Sequence, residues 1–90
     1  MDAKIYGAYW CSHCEHQARH AKREGKEMFG AEAFEKYITY IECSRQGVDN
    51  QADLCRAKDV PGYPTWEIKG KLFPGEKTLE EIEEIVASLK

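Results

Sequence analysis

Two cysteines separated by two residues, Cys11-Ser12-His13-Cys14, are the side chains in this sequence best suited to chemistry. A thiolate is the reactive form of cysteine, and a Cys-x-x-Cys pair can cycle between dithiol and disulfide. The arrangement works best where a strand gives way to a helix. There the first sulfur meets unpaired backbone N–H groups and the positive end of the macrodipole, both of which favour an anion. Cys11 is therefore the expected exchanging sulfur, and Cys14, one helical turn further in, the resolving thiol. His13 can hydrogen-bond the Cys11 thiolate or, when protonated, stabilise it, which makes the disulfide more oxidising. Taken alone, the motif also fits a structural zinc site or an inert pair.

The flanking sequence must build that strand-to-helix junction. Ala3 to Ala8 reads as a short buried strand running up to Tyr9-Trp10. From Ser12 onward Cys14, Ala18, Ala21, Gly25 and Met28 recur at steps of four, three, four and three. They line the inward face of a helix, with Glu15, Arg19, Lys22, Arg23 and Lys26 off it. Gly30 interrupts the helix, and Ala31 to Lys36 is read as one further turn. Tyr37 to Cys43, dominated by β-branched and aromatic residues, is the clearest strand. A polar loop with Gly47 follows, and Asn50 is placed to cap a short helix through about Lys58 that carries Leu54 and Cys55. Pro61, Gly62 and Pro64 end regular structure, after which Thr65 to Lys69 and Lys71 to Phe73 form a hairpin about Gly70. Thr78 and Glu81 make a capping box ahead of the apolar stripe Leu79, Ile82, Ile85, Val86 and Leu89. The predicted order is β-α-β-α-β-β-α. No repeat or linker divides residues 1–90, which read as a single domain.

Composition narrows the function classes. A chain of 90 residues buries only about two thirds of its unfolded surface, so its core is modest and a covalent staple would help. The net charge of -3, with 32% charged residues and no basic stripe, argues against nucleic acid. No apolar run approaches the roughly 18 residues of a membrane span, and the opening residues lack the apolar region of a secretion signal. A soluble monomer without direct membrane insertion is expected. The four cysteines permit two disulfides, Cys11/Cys14 and Cys43/Cys55, which points to an oxidising compartment. Delivery there would then depend on a removed targeting segment or a larger parent chain.

The motif and its setting resemble a known superfamily. Trp10-Cys11-Ser12-His13-Cys14 after a strand, with Gly62-Tyr63-Pro64-Thr65 before a hairpin, is similar to the thioredoxin superfamily across essentially the whole chain. The resemblance implies a compact α/β, thioredoxin-like fold, with a central mixed sheet and helices on both faces. It also implies that Pro64 is cis and faces Cys11, and that the Gly62 backbone, Tyr63 and Pro64 dock a substrate strand. Trp10 is read as part of this docking surface, and Trp66 as core. A closer similarity joins Tyr6-Gly7-Ala8-Tyr9-Trp10-Cys11 through Cys14, Met28-Phe29-Gly30, Tyr40-Ile41-Glu42-Cys43 and Gly62 to Trp66. Together these resemble the thioredoxin-like domain of vitamin K epoxide reductase homologues. In cyanobacterial and plant members of that family the domain is fused to a quinone-reducing membrane domain. The implied partners are that membrane domain and substrate proteins with reduced cysteines, in the periplasm or thylakoid lumen. The domain itself would need no cofactor beyond its redox-active disulfide, with quinone reached only through the membrane partner. The chain departs from many thioredoxins and disulfide isomerases by carrying Ile5 six positions before Cys11, where they have a buried acid that relays protons to the second thiol.

A Cys43/Cys55 disulfide would stabilise the domain by roughly 3 kcal/mol in the chain-entropy model, and a structural staple is preferred to an electron relay with the first pair. His16 and His20, four apart on one helical face, could join Cys11 and Cys14 around a soft metal, but their polar neighbours suit an exposed surface and no metal site is assigned. Glu80, Glu81, Glu83 and Glu84 read as the solvated face of the last helix. A redox enzyme domain is expected, ahead of a thiol/imidazole metal-binding module or a redox-inert peptide-binding domain.

Overall fold

The computed structural model describes residues 3–30 and 36–89. The elements are β1 (Ala3–Gly7), α1 (Ser12–Phe29), β2 (Ile38–Glu42), α2 (Ala52–Ala57), β3 (Thr65–Ile68), β4 (Lys71–Pro74) and α3 (Leu79–Ser88). The strands form one sheet in the order β2-β1-β3-β4. β1 runs parallel to β2 and antiparallel to β3, and β3 runs antiparallel to β4, so the sheet is mixed. A parallel pair requires a crossover, and α1 lies in that connection.

Each face of the sheet carries its own core. On one face Ile5, Ile38 and Trp66 pack with Ala21 of α1 and Leu79 and Ile82 of α3. On the other, Tyr6 and Ile41 pack with Cys43 and Cys55, the latter from α2. Helices therefore cover both faces, the arrangement of a thioredoxin-like α/β fold. Full burial of a side chain such as Ile5 or Ile82 is worth about 1.5–3 kcal/mol relative to exposure, so these few positions carry much of the driving force.

The ends of the elements follow local chemistry. Thr78 caps α3: its side chain accepts from the Glu81 N–H while the Glu81 carboxylate accepts from the Thr78 N–H. Lys69 and Gly70, at φ 52° and 81°, form the two-residue hairpin turn, whose left-handed backbone matches the strand twist. α1 ends at Gly30, whose φ of 111° lies outside the range comfortable for a side chain.

Several expectations need correction. Asn50 is not the N-cap of α2; Gln51 is, and the Asn50 Oδ1 instead accepts the Ala52 N–H one step earlier in the entry to the helix. The inward stripe of α1 is Cys14, Gln17, Ala21 and Gly25, with Ala18 half-buried and Met28 45% exposed. The polar Gln17 is buried because both its amide nitrogen and its amide oxygen find partners, in Lys77 and Trp66. The strands expected over Ala3 to Ala8, Tyr37 to Cys43 and Thr65 to Lys69 are each shorter. Of the further turn expected over Ala31 to Lys36, residues 31–35 lie outside the described residues, and Lys36 is helical.

Candidate active site

Cys11 is the N-cap of α1, at the end of the segment that leaves β1. Its backbone is extended, with φ -87° and ψ 115°, and it makes no side-chain cap hydrogen bond. The first N–H groups of the helix are thus left to an anion at this position. The Cys11 carbonyl accepts from the Cys14 and Glu15 N–H groups at 3.1 Å, closing the first turn beneath it. Cys11 is partly exposed and Cys14 is fully buried. Both are free thiols, so the structure shows the pair in its reduced form.

Burial pushes the Cys14 thiol up to about 12, with the neighbouring Cys11 and Glu42 charges adding to the effect and an Ala8 backbone hydrogen bond opposing it. The two sulfurs are therefore chemically unlike: one meets solvent at a helix terminus, the other holds its proton in a buried niche.

The loop before β3 stands over Cys11. The Tyr63–Pro64 peptide is cis, and the Cys11 Sγ lies 4.0 Å from the Tyr63 carbonyl oxygen. Pro64 is buried, Gly62 and Tyr63 are exposed, and the Thr65 hydroxyl donates to the Gly62 carbonyl at 2.6 Å. Trp10, 61% exposed, meets the Tyr63 ring edge to face at 6.2 Å. Cys11, Trp10, Tyr63 and the Gly62–Pro64 backbone are thus gathered on one surface, with two exposed aromatic rings beside the accessible sulfur. Trp66 lies away from it, fully buried in the core.

His13 has a partner on a distant part of the chain. Its Nδ1 pairs with the Glu76 Oε1 at 3.0 Å, while the His16 Nδ1 pairs with the Glu76 Oε2 at 2.9 Å. Hydrogen bonds from His16 and then His13 hold the Glu76 carboxyl below the usual carboxylate range. Glu76 was not a sequence candidate; no spacing relates it to residues some sixty positions earlier. Next to it, Gln17 Nε2 donates to the Lys77 carbonyl at 2.8 Å, and Gln17 Oε1 accepts from the Lys77 N–H and from the Trp66 indole N–H at 3.0 Å. α1 is in this way tied to the turn that precedes α3.

His20 stacks on His16 with ring centroids 4.2 Å apart and meets Arg23. Among the described residues no group of three or more His, Cys, Asp or Glu side chains is placed to hold a metal ion. Cys43 and Cys55 form a disulfide with Cα atoms 5.7 Å apart, joining the end of β2 to α2 on the sheet face opposite α1. No helix among the described residues is long and apolar enough to cross a membrane.

The chain is similar to a curated protein over nearly its whole length. No protein-family model matches the chain. The thiol-disulfide oxidoreductase LTO1 of Arabidopsis thaliana is 41% identical over 88 residues, which take in 94% of this chain and 21% of the relative. The chain therefore spans about a fifth of the length of the curated protein it matches, and its similarity falls on nearly all of the fold described above.

Proposed function

We propose that this domain is a protein thiol-disulfide oxidoreductase that exchanges disulfides with substrate dithiols through Cys11 and Cys14. The observation that carries the reading is the pairing of an accessible helix-terminal sulfur with a buried one a single turn away, beneath the cis-Pro64 loop. The similarity to a protein named for this activity supports it. Starting from the Cys11–Cys14 disulfide, a substrate thiolate attacks the Cys11 sulfur, and the Cys11–Cys14 bond breaks. Cys14 leaves with the electron pair and takes up a proton. A second thiolate of the substrate then attacks the substrate's own sulfur in the mixed disulfide, releasing Cys11 as a thiolate. The substrate has lost two electrons and two protons, and the domain holds the electrons as a dithiol. Trp10, Gly62, Tyr63 and Pro64 would dock the substrate strand, and Cys43–Cys55 would act as a staple.

In the finer reading the domain runs in the oxidising direction and passes its electrons to a quinone-reducing membrane domain like that of vitamin K epoxide reductase homologues. It would do so in the periplasm or thylakoid lumen, with no cofactor of its own and as one unit of a longer protein. The resemblance of the Trp10–Cys14 and Gly62–Trp66 segments supports this partner.

The test is the reduction potential of each cysteine pair, read by equilibration in thiol buffers and mass-spectrometric mapping of the disulfides. A Cys11/Cys14 value near the roughly -180 mV of disulfide isomerases, with Cys43/Cys55 far more negative, is expected. A value near the roughly -270 mV of thioredoxin would instead make the domain a reductase.

A further inference from the structure

The proton on Cys14 must move in every exchange cycle, yet position 5, where the superfamily resemblance puts a buried acid for that task, holds an isoleucine packed in the apolar core. The sheet register brings another carboxylate to the same neighbourhood. β1 and β2 pair with Ile5 beside Tyr40 and Gly7 beside Glu42. Alternate residues of a strand share a face, so Glu42 lies on the side of Ile38 and Tyr40, the side that α1 covers. Gly7 keeps the space between them open. A Cβ there would lie 2.6 Å from the Tyr40 hydroxyl and 3.0 Å from the Cys14 Sγ, so its absence is what lets hydroxyl and sulfur stand close together.

Glu42 is held in a fixed pose at the edge of this space. The Tyr9 N–H at 3.2 Å and the Ser44 N–H at 3.0 Å both donate to its Oε2, leaving Oε1 as the oxygen to exchange a proton. The Ser44–Gly47 turn closes over its methylenes so tightly that a Cβ on Gly47 would lie 2.7 Å from the Glu42 Cδ. Its partial exposure gives the carboxylate access to water.

We propose that Glu42 is the proton relay of the resolving thiol, serving Cys14 across the opening that Gly7 leaves beside the Tyr40 hydroxyl. The proposal rests on Cys11 and Cys14 being the exchanging pair. In a mixed disulfide at Cys11, the Cys14 thiol gives its proton to Glu42 and attacks the Cys11 sulfur. The Cys11–Cys14 bond forms, the substrate sulfur leaves with its electron pair, and Glu42 passes the proton to that thiolate or to water. In the opposite direction protonated Glu42 delivers the proton to Cys14 as it is displaced.

The electrostatics agree with this placement. Tyr40 is pushed up by burial and then by the charges of Cys14, Glu42 and Cys11, while Cys14 in turn responds to Cys11 and Glu42. The titratable groups facing the Cys14 sulfur are thus Cys11 at the N-cap of α1 and Tyr40 and Glu42 from β2. Beyond Tyr40 a groove opens whose charged lining is Glu15, Arg19 and Lys22 of α1.

The experiment follows the resolution of the Cys11–glutathione mixed disulfide by rapid quench and mass spectrometry across pH. In the unmodified domain a relay makes the rate level off through neutral pH. Without one, the rate climbs tenfold per pH unit toward the Cys14 value of about 12, and that climb would overturn the proposal. Glu42→Gln is expected to slow resolution at pH 7 by tenfold or more, with the deficit closing in alkali as hydroxide takes over. Glu42→Asp should recover part of the rate, and the alkylation of Cys11 by iodoacetamide should change less than twofold. Resolution by Glu42→Gln as fast as the parent at pH 7, or faster, would also overturn it, since a carboxylate acting only through its charge disfavours the Cys14 thiolate. Failure of the parent domain to form any mixed disulfide at Cys11 would refute the exchanging pair itself, and this proposal with it.

Discussion

At the scale of single residues, the two thiols differ in exposure, and the proposed function divides the work accordingly. In that reading the accessible sulfur at the helix terminus meets the substrate, and the buried one closes the cycle. Cys11→Ser is therefore expected to abolish exchange, while Cys14→Ser should accumulate mixed disulfides with substrate proteins, detectable as mass adducts on non-reducing gels and by mass spectrometry. Equal residual turnover in the two variants would contradict the roles. These residues were legible in the sequence because Cys-x-x-Cys carries its chemistry in its spacing. Glu42, Tyr40, Gly7 and Glu76 were not. Each matters through a neighbour dozens of positions away, and only the β1–β2 register or the return of the chain after β4 brings them together. His13 shows the same limit: its position beside Cys11 was readable, whereas its pairing with Glu76 was not.

At the scale of elements, local signals predicted local structure well. The Thr78–Glu81 capping box and the Gly70 hairpin stand as read, since both are decided within a few residues. The face of α1 was misjudged at Gln17 and Met28 because periodicity ranks residues by polarity. A glutamine can be buried when its amide nitrogen and oxygen both find partners, and here Trp66 and Lys77 supply them. Gln17→Leu keeps the volume but leaves the Trp66 indole N–H and both Lys77 backbone groups without these partners. An unsatisfied buried group costs about 1–3 kcal/mol, so a loss in that range or above is expected in urea unfolding, with the Cys11 exchange rate little changed in the folded domain. The Cys43–Cys55 disulfide fixes β2 to α2 across the second core. Replacing both cysteines with serine should lower stability by about 3 kcal/mol on the chain-entropy model, while exchange at Cys11 persists at temperatures where the variant stays folded. Loss of turnover in a folded double variant would instead assign the second pair a share in electron transfer.

For the whole molecule, the fold was legible because the order of elements, the strand-to-helix motif and the proline loop all point to one topology, and the mixed sheet with helices on both faces agrees with it. The burial of Cys14 between that sheet and α1 couples the redox state of the domain to its stability. In the reduced form the folded state raises the Cys14 thiol from 9.0 to about 12, chiefly by desolvation. A group held protonated by folding stabilises the native state fully below its unfolded value. That contribution is lost as pH rises through the folded value, because the unfolded chain then carries fewer protons. The reduced domain should therefore lose stability progressively between about pH 9 and 12. In the oxidised domain Cys14 no longer titrates, whereas Tyr6 and Tyr40, whose hydroxyls are also pushed up by burial, titrate in both forms. Tyr40 also feels the Cys14 and Cys11 charges, so the difference between the two declines in urea midpoint from pH 8 to pH 11 reads the thiol pair together with its coupling to Tyr40. The reduced form is expected to fall further. Equal declines would mean that Cys14 is hydrated in the folded domain, and the desolvation assigned to the resolving thiol would have to be abandoned.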